Sequence, residues 1–149
     1  VGNAVGRQDQ AGLRMAGWVG LGLVGMILLV PSVIILAAPH WVATLYVKDD
    51  LVLDIATGTM FAAGVFVAAD GMMNVAMGAL RGMGDVWLPM VMHIIAFWLA
   101  GVPTAWLAAF HFGQGAMGLQ YGIAVAVFLS VTMQTLRFAI VSRRTIKRA

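Results

Sequence analysis

Four apolar runs, covering about residues 15–38, 55–79, 86–110 and 116–141, are separated by the connections PHWVATLYVKDD, RGMGD and HFGQG. A hydrocarbon core about 30 Å thick needs roughly 20 apolar residues in a helix. Inside it every backbone polar group must find its partner within the segment or a closed barrel. Such a chain has few options, and the expected fold is an all-α polytopic membrane protein with four transmembrane helices. Because the connections are short, consecutive helices are expected to be antiparallel neighbours. Composition agrees: 62% of residues are hydrophobic and 10% charged, against about 25% charged in a soluble domain.

A formal net charge of +3 does not mark a nucleic-acid binder here, because the basic residues sit at the ends of apolar runs. Arg7 and Arg14 precede the first run and Arg81 lies between the second and third. Arg137, Arg143, Arg144, Lys147 and Arg148 lie at or beyond the end of the fourth. Threading four antiparallel helices puts all of these on one side, and only Lys48 on the other, beside Asp49, Asp50 and Asp54. Cytoplasmic loops are enriched in Lys and Arg, so both ends of the chain are expected to be cytoplasmic. Trp41 and Tyr46 fall in the outer connection, where aromatic rings anchor depth. There is no cysteine, which removes a disulfide framework and a thiolate metal site. The opening VGNAVGRQD reads as the tail of an earlier helix, so the sequence is expected to be an excerpt of a longer one.

Local punctuation is legible at the helix ends. Gly82 and Gly84 can take the positive φ that stops a helix, and Asp85 is a good N-cap for the next. Pro89 falls in the first turn, where proline costs least. Pro31 and Pro103 lie inside spans, remove a backbone hydrogen bond and are expected to kink their helices. Gly118 and Gly122 form a GxxxG, and Ala16, Gly17 and Gly20 give small faces on the first helix; both are generic helix-packing surfaces. The eleven methionines are read as core or lipid-facing filler before a flexible pocket lining.

Asp70 is the one acid well inside a span. It lies roughly 12 Å from Gly78 at 1.5 Å per residue, and an Asp near the bilayer centre costs about 3 kcal/mol on insertion scales. Such a carboxylate should face a cavity or a partner, where it can exchange a proton for a metal ion or charged substrate. Asn74, at i+4, shares its helix face and can orient the carboxylate or share a cation. The structural alternative is a tie to a base on another helix, for which the spans offer only Arg137. His40, His93 and His111 have no second ligand at metal spacing; His93, two turns into the third helix, reads as a hydrogen-bonded packing residue before a titrating one. No GxSxG elbow or P-loop occurs and a lone acid is short of an aspartyl protease. The expected class is a transporter, with no catalytic residues and no ATP hydrolysis.

The stretch DGMMNVAMGALRGMGDVWLPM, with WLAGVPTAWLAAF after it and VGNAVGRQD before it, resembles the multidrug and toxic compound extrusion (MATE) transporters. The resemblance covers essentially the whole chain and corresponds to the end of helix eight through helix twelve of that family. GALRGMGD is similar to the family's loop between helices ten and eleven, which places Gly78, Arg81, Gly82, Gly84 and Asp85 in a cytoplasmic loop motif. The resemblance implies part of a six-helix lobe of a twelve-helix protein in the bacterial inner membrane. It implies export of organic cations and amphipathic drugs by alternating access, coupled to sodium or protons, with no cofactor. Asp70 then falls on the coupling acid of helix ten, a candidate sodium ligand. Met73 stands where a glutamine is frequent, and Met73 and His93 are the candidate substrate or cavity contacts. The implied partners are lipid, the missing N-terminal helices and drug molecules. Two other readings stay open: a lipid-linked precursor flippase of the same superfamily, which should show a more basic cavity, and a self-contained four-helix scaffold protein.

Overall fold

The computed structural model describes residues 1–143, less the side chain of Leu51. The chain forms helices α1 (Gly2–Gly6), α2 (Gln10–Ala37), α3 (Pro39–Thr44), α4 (Asp50–Gly82), α5 (Trp87–Ile95), α6 (Val102–Trp106) and α7 (Gly115–Val141). π-helical turns at Ala96–Gly101 and Leu107–His111 continue α5 and α6 into one span. Among the described residues four spans are long and apolar enough to cross a membrane: Gln10–Ala37, Val52–Gly82, Trp87–His111 and Gly115–Val141. The protein is therefore an all-α polytopic membrane protein.

Polar caps set several of the boundaries. α2 starts ahead of its apolar run because Asp9 Oδ1 accepts from the Gly12 amide at 2.8 Å, satisfying a donor that the first helical turn leaves unpaired. Asp49 does the same for Val52 at 3.3 Å ahead of α4. At the other end of α4, Gly84 takes the left-handed turn with φ +81. Gly82 does not share that role: it is the last residue of the helix and is absent from the positive-φ glycines. Asp85 is not an N-cap either. The α5 cap position is Val86, without a side-chain bond, and the Asp85 carboxylate instead accepts from Arg137 Nε at 2.9 Å.

Proline acts differently in the two spans that contain it. α2 runs through Pro31 without interruption. Pro103 stands one residue past the π-helical turn Ala96–Gly101, after Val102; a wider turn there draws the preceding carbonyls away from the pyrrolidine ring, which clashes with the i−4 carbonyl of a regular α-helix.

The spans do not pack in chain order. α2 lies on α4, α4 on α7, and α7 on the third span, whereas the consecutive second and third spans share no substantial contact. The expectation that all consecutive helices are neighbours fails at this step. The reason is the small-residue surface of α7. A Cβ at Gly118 would strike the backbone of Ala108 and Ala109, and one at Gly122 would strike Ala105. From the other side, a Cβ at Gly101 would meet Ala126 Cβ at 2.8 Å and the Gly122 carbonyl at 3.2 Å. The GxxxG thus has a defined partner, the third span, brought to backbone contact as packing in lipid favours.

One end of the bundle is closed by a core of Leu21, Ala76, Ala79, Leu80 and Phe138. The Phe138 ring fills the space a side chain at Gly17 would take, and Trp18 meets it edge-on at 5.7 Å. Gln10 Nε2 donates to the Ser142 carbonyl at 2.6 Å, tying the start of α2 to the end of α7. These contacts put Arg7, Arg14, Arg81, Arg137 and Arg143 at one end, opposite Lys48, Asp49, Asp50 and Asp54. Arg144, Lys147 and Arg148 lie outside the described residues.

Candidate functional site

α4 has two committed faces. Gly64, Gly71, Met72 and Val75 meet α2. Gly58 meets Met117 of α7, and Ala62, Ala69, Met73, Ala76 and Leu80, which share that side of the helix at 100° per residue, are all buried. The third face, opposite both, carries Ala63, Val67, Asp70, Asn74, Met77 and Arg81 at i, i+3, i+4 and i+7 spacings. None of these is buried. The one mid-span acid therefore sits on the open side of the helix, three residues from Val67, the midpoint of Val52–Gly82.

Asn74 holds the acid in place. Its Nδ2 donates to the Asp70 carbonyl at 2.9 Å and to Asp70 Oδ2 at 3.3 Å. With both bonds made through the amide nitrogen, the Asn74 side-chain oxygen remains available beside the carboxylate. Two turns on, Arg81 reaches back to Met77 Sδ at 3.0 Å instead of to Asp70. Arg137, the one base that could have neutralised Asp70 from within a span, is committed to Asp85. Among the described residues no group of three His, Asp or Glu side chains comes together to hold a metal.

Of the other residues singled out by sequence, Met73 and His93 are placed away from Asp70. Met73 is 4% exposed and turned into the bundle, so it does not open onto the Asp70–Asn74 face. Gly78 is exposed on that side, with open space where a Cβ would stand. His93 is half-buried on the far side of α7: its Nδ1 is 3.3 Å from Ser130 Oγ and its ring lies 4.4 Å from that of Phe97. Ser130 in turn accepts from Gln134 Nε2 at 2.9 Å, and both residues are fully buried. Sequence reasoning missed Ser130 and Gln134; the signal was a Ser and a Gln four residues apart, on one face of an apolar helix.

The comparison with known proteins decides the family. The sequence model of the MatE family matches residues 1–107. The chain belongs to the MatE family. It is similar over its whole length to the probable multidrug resistance protein NorM of Caulobacter vibrioides, at 34% identity covering 32% of that protein. It is 36% identical to the multidrug resistance protein NorM of Burkholderia vietnamiensis over 93% of this chain and 31% of the relative. A probable NorM of Synechococcus is 32% identical over 99% of this chain and 33% of the relative. The chain thus spans about a third of the length of the curated relatives it matches.

Proposed function

We propose that this MatE-family chain is the C-terminal part of a cation-driven exporter of organic cations and amphipathic drugs. The observation that carries the reading is the Asp70–Asn74 pair, mid-span on the open face of α4 with no base against the carboxylate among the described residues. A carboxylate left so at membrane depth is expensive unless something binds it. Sodium or a proton serves. A sodium ion would take a carboxylate oxygen of Asp70 and the free oxygen of Asn74 and draw further oxygens from the rest of the protein; a proton would need none. The relatives' names, multidrug resistance proteins, support drugs as the cargo. An acid at the centre of the stripe suits cationic cargo better than the anionic headgroup of a lipid-linked precursor. A self-contained scaffold would have no use for a charged face left open.

In this reading two lobes rock so that a central cavity faces each side of the bacterial inner membrane in turn, with both ends of this chain cytoplasmic. Cation binding at Asp70 shifts that equilibrium only by its different affinity for the two states. The test is drug efflux from vesicles carrying the full-length parent, wild type against Asp70→Asn, under imposed sodium or proton gradients. Gradient-driven efflux is expected to disappear at normal membrane expression, and the gradient that drives the wild type names the ion. Unchanged efflux in the variant would return Asp70 to a structural role.

A further inference from the structure

The polar chain between the third span and α7 is not used by the Asp70 reading. His93, Ser130 and Gln134 form a continuous line of hydrogen bonds, 3.3 Å and then 2.9 Å, with Ser130 and Gln134 at 0% exposure. Its far end is unfinished: Gln134 Oε1 is buried without a partner. A serine hydroxyl has one donor and can accept twice, and an amide offers an oxygen at one side and a nitrogen at the other. The line can therefore be written in two directions. With neutral His93, Ser130 accepts from Gln134 Nε2 and donates its hydroxyl proton to His93 Nδ1. With a proton on Nδ1, His93 donates to Ser130, whose hydroxyl proton must turn away toward Gln134; the amide then presents Oε1, the atom now left orphaned.

We propose that His93 is an intramembrane proton site and that Ser130 relays its charge state to Gln134. One proton is gained at His93 Nδ1 and none is transferred further: Ser130 and Gln134 keep their protons and reverse only the direction of their bonds. The Phe97 ring, 4.4 Å from the imidazole, is within the distance at which an aromatic face favours a cation. The charged group nearest the line on the packed helix is Arg137, one turn beyond Gln134, and its charge is balanced by Asp85 at 2.9 Å. Tyr121 and His111 lie toward the opposite ends of α7 and the third span. The reversal falls on the contact between the third span and α7. This inference is independent of Asp70.

The experiment is a pH series of about pH 5 to 9 on the full-length protein in lipid nanodiscs, with ¹⁵N-labelled histidine and glutamine. His93 and Gln134 are assigned by the signals lost in His93→Gln and Gln134→Leu. At high pH the His93 ring is expected as the Nε2–H tautomer, and at low pH as the doubly protonated ring. The Gln134 side-chain amide is expected to move with the same midpoint. Ser130→Ala is expected to abolish the Gln134 response while His93 still titrates, and Ser130→Thr, which keeps the hydroxyl, to retain it. Where the alanine variant does not fold, Ser130→Cys serves, since a thiol is a weak donor and acceptor, and a diminished Gln134 response is expected. A His93 ring unchanged across the series, or a Gln134 response that survives loss of the Ser130 hydroxyl, would overturn the proposal.

Discussion

Two faces of this chain that carry polar groups are built on opposite terms. Along the seam between the third span and α7, polar groups meet one another and leave Gln134 Oε1 over: Asp85 meets Arg137, His93 meets Ser130, Ser130 meets Gln134, and further along α7 small residues bring the backbones together. Along the third face of α4, polarity is open: among the described residues Asp70 is held by Asn74 from its own helix alone. Paired polar groups in lipid fix register and orientation, because separating them leaves both unsatisfied. An unpaired acid cannot do that work, so its contribution must come from what binds it or from what the rest of the protein puts against it. Seam and stripe thus divide into a region that holds the fold and a region that the fold presents.

The largest effect should come from breaking the seam. Gly122→Leu adds a side chain where even a Cβ collides with Ala105 and lies 2.6 Å from the Gly101 carbonyl. Overpacking usually costs about 1–3 kcal/mol, and here backbone must move, so about 3 kcal/mol or more is expected, read as lost folded fraction on titration with denaturing detergent. A smaller effect is expected where α5 is clipped. Asp85→Ala and Arg137→Ala should each destabilise by about 2 kcal/mol, the scale of a hydrogen bond to a charged group, since the side chains are 17% and 23% exposed. In a double-mutant cycle the two costs should not add; full additivity would mean that the pair does not hold the third span to α7.

What the sequence made legible was whatever is written locally or by periodicity. Apolar runs of membrane length gave the spans, and Asp70 and Asn74 at i+4 gave the pair, because helix geometry brings such residues together regardless of context. Contacts between distant positions were not legible. Asp85 carries a genuine N-cap signal, yet Arg137, 52 residues away, competes for the same carboxylate and wins with a charge-assisted bond. Gly82 and Gly84 look equivalent as helix stops; only Gly84 turns left-handed. Short connections suggested neighbours in chain order, but the small surface of α7 inserts it between the second and third spans. Ser130 and Gln134 stood out from an apolar helix, and what they needed was a partner that only the fold supplies.

The smallest effect separates seam from stripe most sharply. Asn74→Ala removes bonds of 2.9 and 3.3 Å to Asp70, and Asn74 is exposed on a face that packs on neither α2 nor α7. Fold stability should therefore change by less than about 0.5 kcal/mol, as at surface positions generally. The acid, however, loses the group that orients it and the oxygen that could share its cation. With a net hydrogen bond near 1 kcal/mol, the half-saturating concentration of the coupling ion should rise by about fivefold, with maximal efflux by the full-length protein retained. The two readouts must split in that direction if the stripe exists to bind. A variant that loses stability while keeping its ion affinity would put Asn74 on the same terms as Asp85 and Arg137, and α4 would then be presenting nothing.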